Sequence, residues 1–111
     1  DKLEIYLSSG PFVAVTQTTI TDPHILAGEL RAVRQRGYAV DDCEMLTDLR
    51  CIAAPILDAD GRAIAALSIS MDANTSSTKA TLAHVPALLA ARASLQGVLF
   101  PTLPGQQAPS I

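Results

Sequence analysis

Cys51, Ser68 and Ser70 are the residues whose types and spacing best suit chemistry in this chain. They lie in two short apolar runs, Leu49–Leu57 and Arg62–Ser70, joined by Asp58-Ala59-Asp60-Gly61. The pattern reads as an antiparallel hairpin that ends in a thiol and two hydroxyls. Short donors at the end of a buried hairpin suit the carboxylate or carbonyl of a small polar ligand. Left buried and unpaired, each would cost about 1–3 kcal/mol, so a ligand or a water should satisfy them. Close packing of small residues in a sheet is the alternative reading. Register decides between the two. With a two-residue turn at Ala59-Asp60, Cys51 opposes Ser68 and all three share a face. With a three-residue loop at Ala59-Asp60-Gly61, Cys51 opposes Ile69, and the serines turn away unless a further bulge restores the phase. The expectation is that Cys51 and Ser68 face the same side.

Asp41, Asp42 and Glu44 form a second cluster. It reads either as a solvated acidic turn or as a site where Asp41 hydrogen-bonds a hydroxyl or hydrate. The spacing and glycine of a calcium loop are missing. Cys51 makes a poor nucleophile, because no histidine is near it in sequence and it lies in an apolar strand. Cys43 and Cys51 have no CxxC spacing, and His24 and His84 lie far away, so no zinc pattern forms. The expectation is a protein without catalysis, metal or cofactor. Arg31, Arg34 and Arg36 read as a solvated helix face.

The elements that must position these groups are legible in part. Residues 2–8 read as a short helix stopped near Ser9-Gly10-Pro11. Residues 12–20 read as a loop with some strand character. Asp22 is a suitable N-cap with Pro23 at the first helical position. Leu26, Leu30 and Val33 make an apolar stripe from there, and Gly37 is a natural stop. A short strand, Tyr38-Ala39-Val40, leads into the acidic turn. The runs 49–57 and 63–70 are apolar on both alternating faces, which predicts strands covered on both sides. A polar loop over 71–77 precedes a helix from about Thr78 toward Val98. Pro86 either kinks that helix or starts a new one.

The chain has 111 residues and a formal net charge of -3, is 49% hydrophobic, and contains no Trp. That allows one domain with an aliphatic core. The charge gives no pull toward nucleic acid or anionic lipid. No signal peptide and no bilayer-spanning run are read, and free thiols fit a reducing cytoplasm. The chain opens at Asp1 as a helix already under way. The expected organisation is a domain over 1–100, incomplete at its N-terminus, and a disordered tail over 101–111, which holds three prolines.

From Thr19 to Ser70 the chain resembles the C-terminal effector-binding domain of IclR-type bacterial transcription regulators. The resemblance rests on Thr19-Ile20-Thr21-Asp22-Pro23, Leu30 to Ala39, Asp42 and Glu44, Cys51-Ile52-Ala53-Ala54-Pro55, the Asp58–Gly61 turn, and Ala65 to Ser70. Leu88-Leu89-Ala90-Ala91 is similar to the family's last helix. The resemblance implies an α+β, GAF-like fold: an antiparallel sheet with helices on one face and a small-molecule pocket on the other. It implies a small organic or aromatic acid as effector, with pocket roles for Asp41, Cys51, Ser68 and Ser70 and with Leu49 as an apolar neighbour. It further implies homo-oligomers in the cytoplasm, no membrane contact, and DNA binding only through an N-terminal winged helix-turn-helix domain absent here. A GAF-like dimerisation or protein-interaction module without a ligand is the alternative.

Overall fold

The computed structural model describes residues 2–101. Helix α1 spans Lys2–Ser8 and α2 spans Pro23–Arg36. Strands β1 (Ala39–Asp42), β2 (Leu49–Leu57) and β3 (Ala63–Asp72) follow, then α3 (Thr78–Leu82) and α4 (Val85–Leu99). The three strands form one antiparallel sheet in the order β1-β2-β3.

Helix α2 begins and ends where local chemistry directs. The Asp22 carboxylate accepts the N–H of His24 at 2.8 Å, and Pro23 follows where no donor is needed. Gly37 closes the helix at φ 87°, donating its N–H to the Val33 carbonyl at 2.8 Å. That left-handed conformation is one glycine adopts without penalty.

Residues 12–20 carry no strand, against their β-branched composition. Their backbone is held by threonine hydroxyls instead. Thr19 Oγ1 accepts the N–H groups of Val15 and Thr16, which a strand would have offered to a neighbour.

The hairpin uses the three-residue loop. Asp58 and Arg62 close it, with Asp58 N–H donating to the Arg62 carbonyl, and Gly61 stands at φ 80°. Leu57 then pairs with Ala63, but Ile56 pairs with Ala65. Ile64 is the extra residue of a bulge, and the bulge shifts the ladder by one. Cys51 therefore lies opposite Ser70, and Ala53 opposite Ser68. Neither simple register applies; the second irregularity restores the phase.

The opposite face of the sheet holds the core. Ile52, Ala54 and Leu88 are buried at its centre, with Val40, Leu67, Ile69, Leu82, Val85 and Leu89 packed around them. Burying side chains such as Ile52, Ile56 and Leu88 stabilises by about 1.5–3 kcal/mol each. Pro55 sits in the middle strand because β1 pairs only as far as Ala53. Beyond that point α4 stands in for a strand. Arg92 Nε donates to the Pro55 carbonyl at 2.8 Å, and the buried Gln96 amide bonds both the N–H and the carbonyl of Leu57.

Three expectations need correction. Strand β3 is not covered on both faces: Ala66, Ser68 and Ser70 are exposed, because the described helical layer lies on the Leu67 and Ile69 side only. The segment Thr78–Leu99 is, by length and composition, apolar enough to cross a membrane. It is broken after Leu82, however, and Thr81, Leu88 and Gln96 are buried in the fold. The break gives two helices, with Pro86 in the first turn of α4. Strand β3 also runs to Asp72, into the expected loop, because Asp72 pairs with Leu49. Apart from Pro101, the tail expected over 101–111 lies outside the described residues.

Candidate functional site

Strand alternation collects the five sequence-derived residues on one face. Asp41 pairs with Cys51 across β1 and β2, and Cys51 pairs with Ser70 across β2 and β3. Partners in an antiparallel pair project to the same side. Asp41, Cys51 and Ser70 thus form one transverse row. Ala39, Ala53 and Ser68 form the next row, and Leu49 precedes Cys51 on the same face. Within the row Cys51 Sγ lies 3.3 Å from Ser70 Oγ. Cys51 and Leu49 are half-buried, whereas Ser68 and Ser70 are exposed. Three donors and one carboxylate on a face of small residues can hold a ligand that both accepts and donates hydrogen bonds.

Asp41 stands where this face meets α1 and α2. It lines a cavity of about 430 Å³ together with Tyr6, Phe12, Ile20, Leu26 and Glu44. The Tyr6 and Phe12 rings lie 5.5 Å apart. The lining is mostly apolar with carboxylates at one side. Asp41 is the one of the five residues that contributes to this cavity. Cys51, Ser68, Ser70 and Leu49 lie outside its lining and share only the sheet face with Asp41.

The acidic turn is a closed hydrogen-bonded ring. Asp41 Oδ1 accepts the Glu44 N–H at 2.8 Å, and Glu44 Oε2 accepts the Asp42 N–H at 3.0 Å. Cys43 completes it at φ 57°, a strained value for a residue with a Cβ. Thr18 donates to the Asp42 and Cys43 carbonyls, each at 2.8 Å, and Thr19 to the Glu44 carbonyl at 2.5 Å. Asp42, pointing to the other face, accepts from Arg50 Nε at 2.8 Å. That hydrogen bond, partly opposed by desolvation, raises the guanidinium's pKa above its ordinary value. Sequence reasoning missed Thr18, Thr19 and Arg50. The run Thr16-Gln17-Thr18-Thr19 was a signal for side-chain-to-backbone turns, which its β-branched character concealed. Nothing local marks Arg50. His24 and His84 are exposed, as expected for boundary residues. Among the described residues no cluster of His, Cys, Asp or Glu is arranged to hold a metal ion.

Comparison with known proteins places this geometry. Residues 1–96 match the family model of the bacterial transcriptional regulator IclR C-terminal domain. The chain is 36% identical over 99 residues to the Pca regulon regulatory protein of Pseudomonas putida, covering 88% of this chain and 34% of that one. It superposes on the crystal structure of Thermotoga maritima IclR with a TM-score of 0.80 and 32% identity, over 88% of this chain and 40% of that one. The inducer-binding domain of the PobR transcription factor from Acinetobacter, crystallised as a double mutant with 3-hydroxybenzoic acid, matches with a TM-score of 0.78 and 29% identity, over 86% and 55%. The chain spans between 20% and 34% of the length of the first curated relatives it matches. With an α+β fold, an antiparallel sheet and this ordered set of matches, the chain belongs to the family of IclR C-terminal domains of bacterial transcriptional regulators.

Proposed function

We propose that this chain is the effector-sensing part of a cytoplasmic transcription regulator, and that its effector is a small organic acid held on the sheet face by Ser68, Ser70 and Cys51, with Asp41 taking a ligand hydroxyl and Leu49 an apolar edge. The observation that carries the reading is the register, in which a bulge at Ile64 returns both serines to the side of Cys51 and Asp41. The acid found with the PobR inducer-binding domain supports the same ligand chemistry for this chain. DNA contact belongs to a winged helix-turn-helix domain outside these residues. The protein acts by binding, without a cofactor or a reaction of its own.

The test is a thermal-shift series with hydroxy and oxo acids. A ligand that binds only the folded state raises stability by mass action, about 2.7 kcal/mol at a concentration of 100 Kd. Ser68→Ala and Ser70→Ala should each remove most of the shift without changing the unliganded melting temperature by more than a degree or two. Equal shifts in wild type and both variants would reject the serine site.

A specific observation also favours association. The exposed residues of α4 are uncharged, and Leu95, Val98 and Leu99 are 38%, 76% and 50% exposed. Charge-free apolar surface of this kind marks a contact face. We read it as a surface for homo-oligomer formation, in addition to sensing or, if no acid binds, in place of it.

A further inference from the structure

We propose that Arg50 is a strap between the acidic turn at the candidate acid site and the start of the helical layer, so that a change at the Asp41 carboxylate is felt at α3. The inference rests on the acid-site reading for its natural trigger, but the coupling itself belongs to the fold and can be tested without a ligand.

Adjacent residues of β1 point to opposite faces. Asp41 faces Cys51 and Ser70; Asp42 faces the helices and pairs with Arg50. Asp41 is also one end of the hydrogen-bonded ring over 41–44. Arg50 spans from that ring to the next layer. Its Nε donates to Asp42 Oδ1 at 2.8 Å and its Nη1 to the Ser76 carbonyl at 2.7 Å. The Arg50 side chain is only 13% exposed, whereas Asp42 is 52% exposed, so the Ser76 end is the better protected from water.

Ser76 adjoins the cap of α3. Ser77 Oγ accepts the Ala80 N–H at 3.1 Å, and the Ser77 carbonyl accepts both the N–H and the hydroxyl of Thr81, which is fully buried. Helix α3 has five residues, too few to persist without such anchors. A ligand hydroxyl that donates to Asp41 draws the carboxylate toward the sheet face and lengthens its bond to the Glu44 N–H. The ring then loosens and Asp42 shifts. The guanidinium is a rigid planar fork, so displacing its Nε end strains or breaks the bond at Ser76. The exposed Asp42 end makes the pair a weak stabiliser, which suits a coupling element better than a structural one.

Contacts in series become coupling only when a change at one end is measured at the other. The test is a double-mutant cycle on the 111-residue chain, reading hydrogen exchange at the Ala80 and Thr81 amides. Asp41→Ala should raise their exchange about three- to tenfold while Arg50 is present, the range expected within one hydrogen-bond network. In the Arg50→Gln background Asp41→Ala should add nothing. Arg50→Lys, whose single ammonium cannot hold both ends, should behave as Arg50→Gln and serves if the glutamine variant fails to fold. No rise in Asp41→Ala, or an equal rise in both backgrounds, overturns the proposal. With 3-hydroxybenzoate as probe, binding without a change at α3 in the wild type overturns the strap and leaves the acid site standing. Absence of binding counts against the acid site, and the ligand-free cycle still decides the strap.

Discussion

Gln96 carries a prediction that can be worked out from the structure. Its side chain is 6% exposed and bonds both backbone groups of Leu57, itself 3% exposed, at the point where the short β1 leaves that edge of β2 without a strand. Replacing Gln96 with Leu keeps the volume and removes both partners. Each orphaned buried backbone group costs about 1–3 kcal/mol. The apolar side chain recovers part of that, so the net loss should be about 2–4 kcal/mol. For a domain of this size that is a fall in Tm of at least about 8 °C. Urea denaturation followed by far-ultraviolet circular dichroism measures it directly. Gln96→Glu sharpens the test. Its carboxylate still accepts from the Leu57 N–H but faces the Leu57 carbonyl without a proton. Burial and that carbonyl push the introduced carboxyl's pKa up in the folded state, so the folded form binds the proton more tightly than the unfolded chain. Stability of this variant relative to wild type should therefore rise as pH falls toward the carboxyl range. A loss below about 1 kcal/mol for Gln96→Leu with an unchanged urea dependence would refute the view that α4 completes the sheet edge.

Asp22→Ala should destabilise by about 0.5–2 kcal/mol through loss of the His24 cap, measurable by thermal melting; a neutral result would place the cap elsewhere. The chain should show no salt-dependent, submicromolar binding to duplex DNA in fluorescence anisotropy, given its net charge of -3. It should associate at micromolar concentration, because among the described residues β3 is an edge strand, with Ile64 exposed on it, and α4 exposes Leu95, Val98 and Leu99. A monodisperse 11.6 kDa species at sedimentation equilibrium would contradict that.

The parts of the fold readable from the residues are those set by near neighbours. Asp22, Pro23 and Gly37 define α2 to the residue because a cap, a proline and a left-handed glycine act over one turn. The register of the hairpin is different. Asp58-Ala59-Asp60-Gly61 suits two turn types, and the bulge that decides the outcome sits by Leu57, whose backbone is held by Gln96, 39 positions later. No local pattern contains that information. The break between α3 and α4 was half-legible: Pro86 allows a kink or a new start, and packing on β2 selects the new start. Both faces of β3 read as covered because Ala and Ser are compatible with either side of a surface. The chemical groups of the candidate site were legible by type, whereas their convergence depended on the bulge. Arg50 was invisible, since its two partners lie 8 and 26 positions away.

The spacing of the proposed acid site sets the length of ligand it would hold. Asp41 and Ser70 are separated by two strand spacings, about 9–10 Å. Side chains standing off the sheet keep roughly that separation. Hydrogen bonds of about 2.8 Å at each end leave a ligand whose polar ends lie about 4 Å or more apart. An α-hydroxy or hydrated oxo acid, with adjacent polar carbons, can engage one end of the row only. A β-hydroxy acid or a hydroxybenzoate can reach both, its carboxylate at Ser70 and its hydroxyl at Asp41. The electrostatics point the same way. Asp42 is matched by Arg50, but among the described residues Asp41 accepts only the Glu44 N–H, so an acid that brings no hydroxyl meets a carboxylate with nothing to offer it. At equal concentration, 3-hydroxybutyrate and hydroxybenzoates should therefore raise the melting temperature more than lactate or glyoxylate. Their shift should fall in both Asp41→Asn and Ser70→Ala, whereas a short acid's shift should respond to only one of the two. A short acid sensitive to both substitutions would show that the row closes around its ligand, and the length argument would fail.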